Sequence, residues 1–209
     1  MIDKLLAWED TVRTLDGKAV LVADNPDLAG DFEANQRDIE VSFLAGREIE
    51  RLFLRELGSA MRPAILNAFN EGASLMSYVG HGGAAVWASE NVLNSWDTAS
   101  LQPQSQQPLL LTMNCLNGYF LAPTFNSLTE AFLKAQGRGV VAGFSPSGLS
   151  LDGPAHLYDR AVVGELLSGR HERLGDALLA AQRLYAETGA MPELLSIYHL
   201  LGDPGMRIR

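Results

Sequence analysis

Short runs of apolar residues punctuate the chain at several places. The segments 74–79, 108–113 and 139–144 are largely apolar, and a fourth run at 18–23 stops at Asp24-Asn-Pro. Apolar runs of about four to eight residues between turn-forming residues are typical of strands that are buried on both faces. The pattern therefore predicts four buried strands, each followed by a loop.

Between these runs, apolar residues recur with the spacing of one face of a helix. Five helices are predicted from this spacing and from Gly, Pro and Ser at the segment ends. They span residues 2–13, 59–71, 126–136, 153–168 and 173–188, and a short apolar run follows at 196–201. The helices alternate with the strands, which is the order expected of an α/β protein.

Two segments are less distinctive. The acidic stretch 24–36 is predicted as a loop, with a helix beginning near Asp38 and closed by Gly46. The segment 49–54 fits either a helix or a strand, and the nearby glycines Gly46 and Gly58 favour a strand. With this strand included, the chain is predicted to form one domain, residues 1–209, built on a mostly parallel sheet.

Composition narrows the classes of partner. The chain carries 25 acidic and 16 basic residues, a net charge of -9, which argues against nucleic acid or an anionic membrane as the main partner. It contains no apolar run of about 18 residues, so no membrane insertion is expected. The first residues lack the basic and then apolar layout of a signal peptide.

Two residues with catalytic chemistry follow predicted strands directly. His81 stands in Gly80-His-Gly-Gly, and Cys115, the single cysteine, stands in Asn114-Cys. Each alone is more often a structural residue. If their strands are neighbours, both side chains lie at the same sheet edge, where an imidazole can promote ionisation of the thiol. The backbone amides of Gly82 and Cys115 are then candidate donors to an oxyanion.

The residues around this pair resemble the catalytic motifs of the gingipain-type cysteine peptidases, peptidase family C25. The similarity lies in Tyr78-Val-Gly-His-Gly-Gly followed by Trp87, and in Asn114-Cys-Leu-Asn-Gly-Tyr-Phe-Leu. Asp31-Phe-Glu and Leu201-Gly-Asp-Pro are similar too, so the likeness covers nearly the whole chain. It implies a caspase-like three-layer α/β/α sandwich with a mostly parallel sheet, and the activity of a cysteine endopeptidase on polypeptide substrates.

The resemblance also implies roles for individual residues. Cys115 would attack the scissile carbonyl and form an acyl-enzyme, while His81 would protonate the leaving amine and then activate water. The amides of Gly82 and Cys115 would bind the oxyanion. In the family an acid on the loop after the first strand orients the histidine, and Asp24 is the nearest candidate here, with Asp27 second.

Specificity is carried over in the same way. Gingipains recognise a basic residue at P1, the position before the scissile bond, through a carboxylate at the start of a helix. Asp38 aligns best with that carboxylate, and Trp87 is expected to wall the site. The loop 145–153 lacks the tryptophan that flanks the P1 side chain in the family.

Further implications concern the context of the chain. It corresponds to the catalytic subdomain alone, so an N-terminal subdomain or other modules are expected elsewhere. The family implies an extracellular or cell-surface location. No cofactor is expected and no metal site is assigned. The acidic loop 24–33 could bind Ca²⁺ as a structural ion, although a solvated loop is the favoured interpretation.

Three alternatives stay open. A sortase-like transpeptidase of the same family would pass the acyl group to an amine instead of water. A catalytically inactive binding module would keep the fold without the reaction, although the presence of both His81 and Cys115 speaks against it. An unrelated α/β hydrolase is disfavoured because the chain has no Gly-x-Ser-x-Gly elbow.

Overall fold

A six-stranded sheet lies at the centre of the computed structural model, which describes residues 2–10 and 14–209. Its strand order is β2-β1-β3-β7-β8-β9. Neighbouring strands run parallel except β9, which is antiparallel to β8 at the sheet edge. In chain order the strands are β1 (Ala19–Ala23), β2 (Ile49–Phe53), β3 (Leu75–Val79), β4 (Gly82–Gly83), β5 (Val86–Trp87), β6 (Leu93–Asn94), β7 (Leu109–Met113), β8 (Ala142–Pro146) and β9 (Tyr198–Leu201).

Helices connect the strands and cover both faces of the sheet. They are α1 (Ile2–Asp10), α2 (Phe32–Phe43), α3 (Leu54–Leu57), α4 (Met61–Glu71), α5 (Leu128–Lys134), α6 (Asp152–Leu167), α7 (Leu174–Glu187) and α8 (Leu194–Ile197), with 3₁₀ turns at Gly58–Ala60 and Ser95–Ser100.

The alternation of side chains along each strand divides the core in two. Leu21 of β1 packs on one face with α2, α6 and α7, while Val20 and Val22 of the same strand pack on the other face with α4 and α5. Successive strand residues point to opposite faces, so a strand buried on both faces must be apolar throughout. This arrangement confirms the predicted three-layer α/β/α sandwich with a mostly parallel sheet.

Most element boundaries follow the sequence pattern. The four predicted buried strands and the strand at 49–54 are present, although β8 begins at Ala142 rather than at residue 139. Val140 donates its N–H to the carbonyl of Phe132 in α5, so the main chain just before β8 is bound to the preceding helix rather than to a neighbouring strand at that residue. The first helix was predicted to reach residue 13, and its last three residues lie outside the described part of the chain.

The prediction for the second helix is wrong. Helix α2 begins at Phe32, within the segment predicted as a loop, rather than near Asp38. Asp31 caps it by accepting a hydrogen bond from the N–H of Ala34, and Glu33 places a negative charge in its first turn. Both features stabilise a helix N-terminus. Asp38 therefore lies inside the helix and does not begin it.

A carboxyl group without a hydrogen-bond partner lies inside the fold. Asp159 of α6 is fully buried, and neither carboxyl oxygen has a hydrogen-bond partner in the part of the chain that the structure describes. Burial raises the pKa of Asp159 to about 7, and the nearby charge of Asp38 adds to the effect. Because the folded state holds this proton more tightly than the unfolded state, stability contributed by the neutral group is lost as pH rises from about 4 to about 7.

We expect Asp159→Asn to remove this pH dependence. Above pH 7 the variant should be more stable than the parent by up to about 4 kcal/mol, because it avoids the buried charge. Near pH 4 both proteins carry a neutral side chain at this position, and their stabilities should agree. Urea unfolding at the two pH values measures the difference. An equal stability change at both pH values would contradict the explanation.

Candidate active site

The register of the sheet brings the sequence-predicted residues to one edge. Ala23, Val79 and Met113 stand level with one another at the ends of β1, β3 and β7. His81 follows Val79 by two residues, and Cys115 follows Met113 by two. The predicted meeting of these loops at the carboxyl edge of a parallel sheet therefore occurs.

A cleft opens between the loops. Its cavity volume is small, about 40 Å³, and it contains both His81 and Cys115. The loop before α2 and the loop after β8 also contribute to its lining. The full lining is Ala29, Phe32, Gly80, His81, Met113, Asn114, Cys115, Ser150, Asp152 and Ala155.

The imidazole of His81 is held by the acidic loop. Its Nε2 lies 2.8 Å from Oδ2 of Asp27, and its ring packs edge-on against Phe32 at 5.3 Å between centroids. The hydrogen bond to His81 lowers the pKa of Asp27, which favours the carboxylate. A carboxylate accepts from Nε2–H, so Nδ1 of the neutral ring is left as the basic nitrogen.

Asp24, the first candidate for the acid that orients His81, contacts the main chain of His81 rather than its imidazole. Its Oδ2 accepts from the backbone N–H of His81 at 3.1 Å, and its Oδ1 accepts from the N–H of Asn25 at 2.8 Å. Burial raises the pKa of Asp24, and the two backbone hydrogen bonds oppose that rise. Asp24 thus fixes the main chain of His81, whereas the second candidate, Asp27, contacts the imidazole.

Cys115 is held by the loop that follows β8. Its Sγ accepts from the N–H of Ser150 at 3.4 Å and donates to the carbonyl of the same residue at 3.6 Å. No hydrogen bond joins Cys115 to His81 within residues 2–10 and 14–209. Hydrogen bonds between catalytic groups often form only when substrate is bound.

The main chain at Cys115 turns sharply. Leu116 has φ of +64°, a left-handed conformation that is uncommon for residues other than glycine. Its N–H donates to the carbonyl of Gly148, which ties the turn to the loop after β8. Such strain concentrates at functional sites, where the surrounding structure holds the chain in place.

The two candidate oxyanion donors lie close together. A Cβ atom on Gly82 would stand 2.1 Å from Nδ2 of Asn114 and 3.1 Å from the carbonyl oxygen of Cys115, so only glycine fits there. In the described part of the chain, the backbone N–H of Cys115 has no backbone acceptor. The assignment of these amides to an oxyanion stays a prediction.

Trp87 does not wall the cleft. Its side chain is fully buried, stacks on Tyr78 at 4.2 Å and donates Nε1–H to Oδ1 of Asn117 at 2.6 Å. The sequence places Trp87 close to the His81 motif, but it does not show whether the side chain lines the cleft or packs in the core beneath it.

Asp38 lies outside the cleft lining, and its carboxylate already pairs with two side chains of α6. It forms ion pairs with Arg160 and with His156, the latter at 3.0 Å. Burial alone would raise the pKa of Asp38, but the hydrogen bond and the charge of Arg160, with a smaller contribution from His156, lower it. The predicted substrate-binding role for Asp38 therefore finds no support in the geometry.

Another carboxylate, missed from the sequence, does line the cleft. Asp152, the first residue of α6, accepts a hydrogen bond at Oδ1 from the side-chain amide of Asn35 at 2.8 Å. Burial is the main cause that raises the pKa of Asp152, and nearby Asp31 and Asp27 add to it. A Cβ atom on Gly30 would stand 2.2 Å from Oδ2, so the acidic loop packs directly on this carboxylate.

The carboxylates of the acidic loop are engaged within the protein. Asp24 binds two backbone amides, Asp27 contacts His81 and the N–H of Ala29, and Asp31 caps α2. In the part of the chain that the structure describes, no group of three or more His, Cys, Asp or Glu residues is placed to hold a metal ion.

Within residues 2–10 and 14–209, no helix has the length and apolar character needed to cross a bilayer.

Comparisons with known proteins agree on one family. The sequence profile of Peptidase family C25 matches residues 1–209. Gingipain R2 and Gingipain R1 of Porphyromonas gingivalis are each 25% identical to the chain over 69% of its length. The chain spans only 21% of that Gingipain R2 and 15% of that Gingipain R1.

Solved structures show the same fold. The crystal structure of the Arg-specific cysteine proteinase gingipain R superposes over 100% of this chain and 52% of its own, with a TM-score of 0.82 and 18% identity. The complex of the pro- and mature domains of RgpB from Porphyromonas gingivalis gives a TM-score of 0.79 at 20% identity, over 100% of this chain and 53% of its own. The chain thus spans about half the length of these solved chains.

Proposed function

The chain belongs to peptidase family C25, and on that premise we propose that it is a cysteine endopeptidase with Cys115 as nucleophile and His81 as general base and acid. The observation that carries the proposal is the shared cleft of the two side chains, at the carboxyl ends of neighbouring parallel strands. A thiol and an imidazole at one edge are the groups that nucleophilic acyl transfer requires.

The first half of the reaction follows from these positions. The Cys115 thiol leaves its hydrogen bonds to Ser150 and gives its proton to Nδ1 of His81. The thiolate attacks the scissile carbonyl, and the amides of Gly82 and Cys115 receive the negative charge that develops on oxygen. His81 returns the proton to the amine, the C–N bond breaks, and the C-terminal segment of the substrate leaves with a new amino terminus, while the N-terminal segment stays on Cys115 as a thioester.

In the second half of the reaction, water hydrolyses the acyl-enzyme and releases the N-terminal segment of the substrate. A water molecule loses a proton to Nδ1 of His81 and attacks the thioester carbonyl. The tetrahedral intermediate collapses, the C–S bond breaks, and the proton returns to the sulfur of Cys115. Asp27 stabilises the protonated imidazole through its contact at Nε2, and Asp24 keeps the His81 main chain in place throughout.

We further propose that the cleft accepts a basic P1 side chain and that Asp152 is the residue that recognises it. The carboxylate lines the cleft, is half-buried, and is bound by the neutral amide of Asn35. The solved relative gingipain R is an Arg-specific cysteine proteinase, which agrees with a cationic P1 side chain. Because the cavity holds only about 40 Å³, a long side chain requires the wall at Ser150 to move outward, which also frees the thiol.

A panel of fluorogenic peptides that differ only at P1 tests the proposal. We expect cleavage after Arg and Lys to exceed cleavage after Gln and Asp by at least about 30-fold in kcat/KM, since a paired charge contributes about 2 kcal/mol or more. Cleavage at equal rates after every residue would contradict the role of Asp152 in P1 recognition but would still support the peptidase activity. No cleavage, with the same peptides captured by an added amine, would favour the transpeptidase.

The family also suggests where the enzyme acts. We propose that it works outside the cell or at the cell surface, together with further modules of a longer protein.

A further inference from the structure

One buried side chain joins the two catalytic loops. Asn117 is fully buried, and its Nδ2 donates to the carbonyls of Gly83 at 2.6 Å and Val86 at 3.2 Å. Its Oδ1 accepts from Trp87 Nε1 and from Asn114 Nδ2, each at 2.6 Å. An amide side chain has two donors and two acceptor positions. Every one of them is therefore used, and three of the four bind the hairpin that follows His81.

The hairpin held by Asn117 is short, and its second strand pairs in turn with β6. It comprises β4 and β5, of two residues each, and Gly82 lies at its start. Gly82 packs against Asn114 and Cys115 so closely that no side chain would fit. A small shift of the hairpin would therefore move the Gly82 amide relative to the Cys115 amide.

The same contacts reach the main chain of His81. Trp87, bound by Asn117, stacks on Tyr78 with an angle of 8° between the rings. The hydroxyl of Tyr78 donates to the carbonyl of His81 at 2.6 Å. Ala88, directly after Trp87, donates its N–H to the same carbonyl at 2.9 Å. The position of His81 is thus coupled to Asn117 through a stacked pair of aromatic rings.

We propose that Asn117 is a positioning residue that fixes the hairpin after His81, which begins with Gly82, against the turn carrying Cys115, and so aligns the two amides of the oxyanion hole. The proposal rests on the proposed peptidase function. Asn117 itself lies outside the cleft lining and acts through the groups that it holds.

Asn117→Asp gives the sharpest test, because the two side chains have the same shape. The carboxylate cannot donate to Gly83 or Val86 and repels their carbonyls. We expect kcat to fall about 100-fold, the effect of losing one oxyanion donor, while KM changes less than threefold.

Amide hydrogen exchange measures, without any substrate, how firmly Asn117 holds the hairpin. In Asn117→Asp the amides of 82–92 should exchange at least tenfold faster than in the parent. The matched control is Gln107→Ala, which removes another buried amide with two backbone acceptors, the carbonyls of Gln104 and Gly137, far from the cleft. The control should leave both kcat and exchange at 82–92 unchanged. Each kcat is normalised to folded protein and measured well below the melting temperature.

Trp87→Phe serves if Asn117→Asp does not fold. It keeps an aromatic ring beside Tyr78 and removes the hydrogen bond to Asn117 together with part of the buried indole, and we expect kcat to fall about tenfold. Unchanged exchange at 82–92, an unchanged kcat in folded variants, or an equal loss in Gln107→Ala would overturn the proposal. A parent protein without peptidase activity would refute the proposed function instead. The exchange measurement would still test whether Asn117 holds the hairpin.

Discussion

Cys115→Ala is expected to lose peptidase activity almost completely. Removing the nucleophile of a thiol or serine peptidase lowers kcat by about 10⁴ to 10⁶, and the chain has no second cysteine to replace it. Cleavage of a P1-Arg fluorogenic peptide by matched amounts of parent and variant measures the effect.

The variant should keep the fold. The thiol bonds only to the main chain of Ser150 in the described part of the chain, so its loss should lower the free energy of unfolding by about 1 kcal/mol. Thermal unfolding monitored by circular dichroism provides the control. A folded Cys115→Ala protein that still cleaves at more than about 1% of the parent rate would exclude Cys115 as the nucleophile.

Asp152→Asn has the second largest expected effect. We expect kcat/KM for P1-Arg peptides to fall about 100-fold, because the substrate cation loses its charged partner in a half-buried cleft. Peptides with Gln at P1 should be cleaved as before or slightly faster. The neutral amide can still bind Asn35, so the start of α6 should stay in place.

Asp38→Asn is the matched control for Asp152→Asn. Both changes neutralise one carboxylate without changing its shape, but Asp38 is bound by Arg160 and His156 on the surface between α2 and α6. We expect its P1 preference to match that of the parent within about twofold. A loss of Arg preference in Asp38→Asn and not in Asp152→Asn would reverse the two assignments and restore the prediction made from the sequence.

Much of the fold could be predicted because the core strands are apolar on both faces. The runs that became β1, β3 and β7 could not be surface strands, and helices of regular period lie between them. The proposed catalytic pair could be predicted from the same pattern, since His81 and Cys115 directly succeed two of these strands. Parallel strands that are neighbours must present such residues at one edge.

The start of α2 was missed for a local reason. The segment 24–36 is acidic and was interpreted as a solvated loop, although Asp31 and Glu33 are also the residues that favour a helix N-terminus. A helix start near Asp38 is also what favours that residue as the carboxylate that recognises P1. Because α2 begins after its cap Asp31, Asp38 lies within the helix, about two turns from its start.

Asp152 and Asn117 could not be found from the sequence, because their roles depend on tertiary contacts. Asp152 begins a helix, where an acidic residue is ordinarily explained by the helix dipole. Asn117 stands before Gly118, a pair that indicates a turn. Only the packing of the loops places the first in the cleft and makes the second the partner of the hairpin after His81.

The central claim is that Cys115 is a nucleophile activated by His81, and a covalent trap tests it most directly. The protein is incubated with a peptidyl acyloxymethyl ketone carrying Arg at P1, and peptide mass mapping locates the adduct. We expect a single adduct on Cys115 that forms at least about 100-fold more slowly in His81→Ala. An unmodified Cys115, or an equal rate of labelling in His81→Ala, would contradict the account.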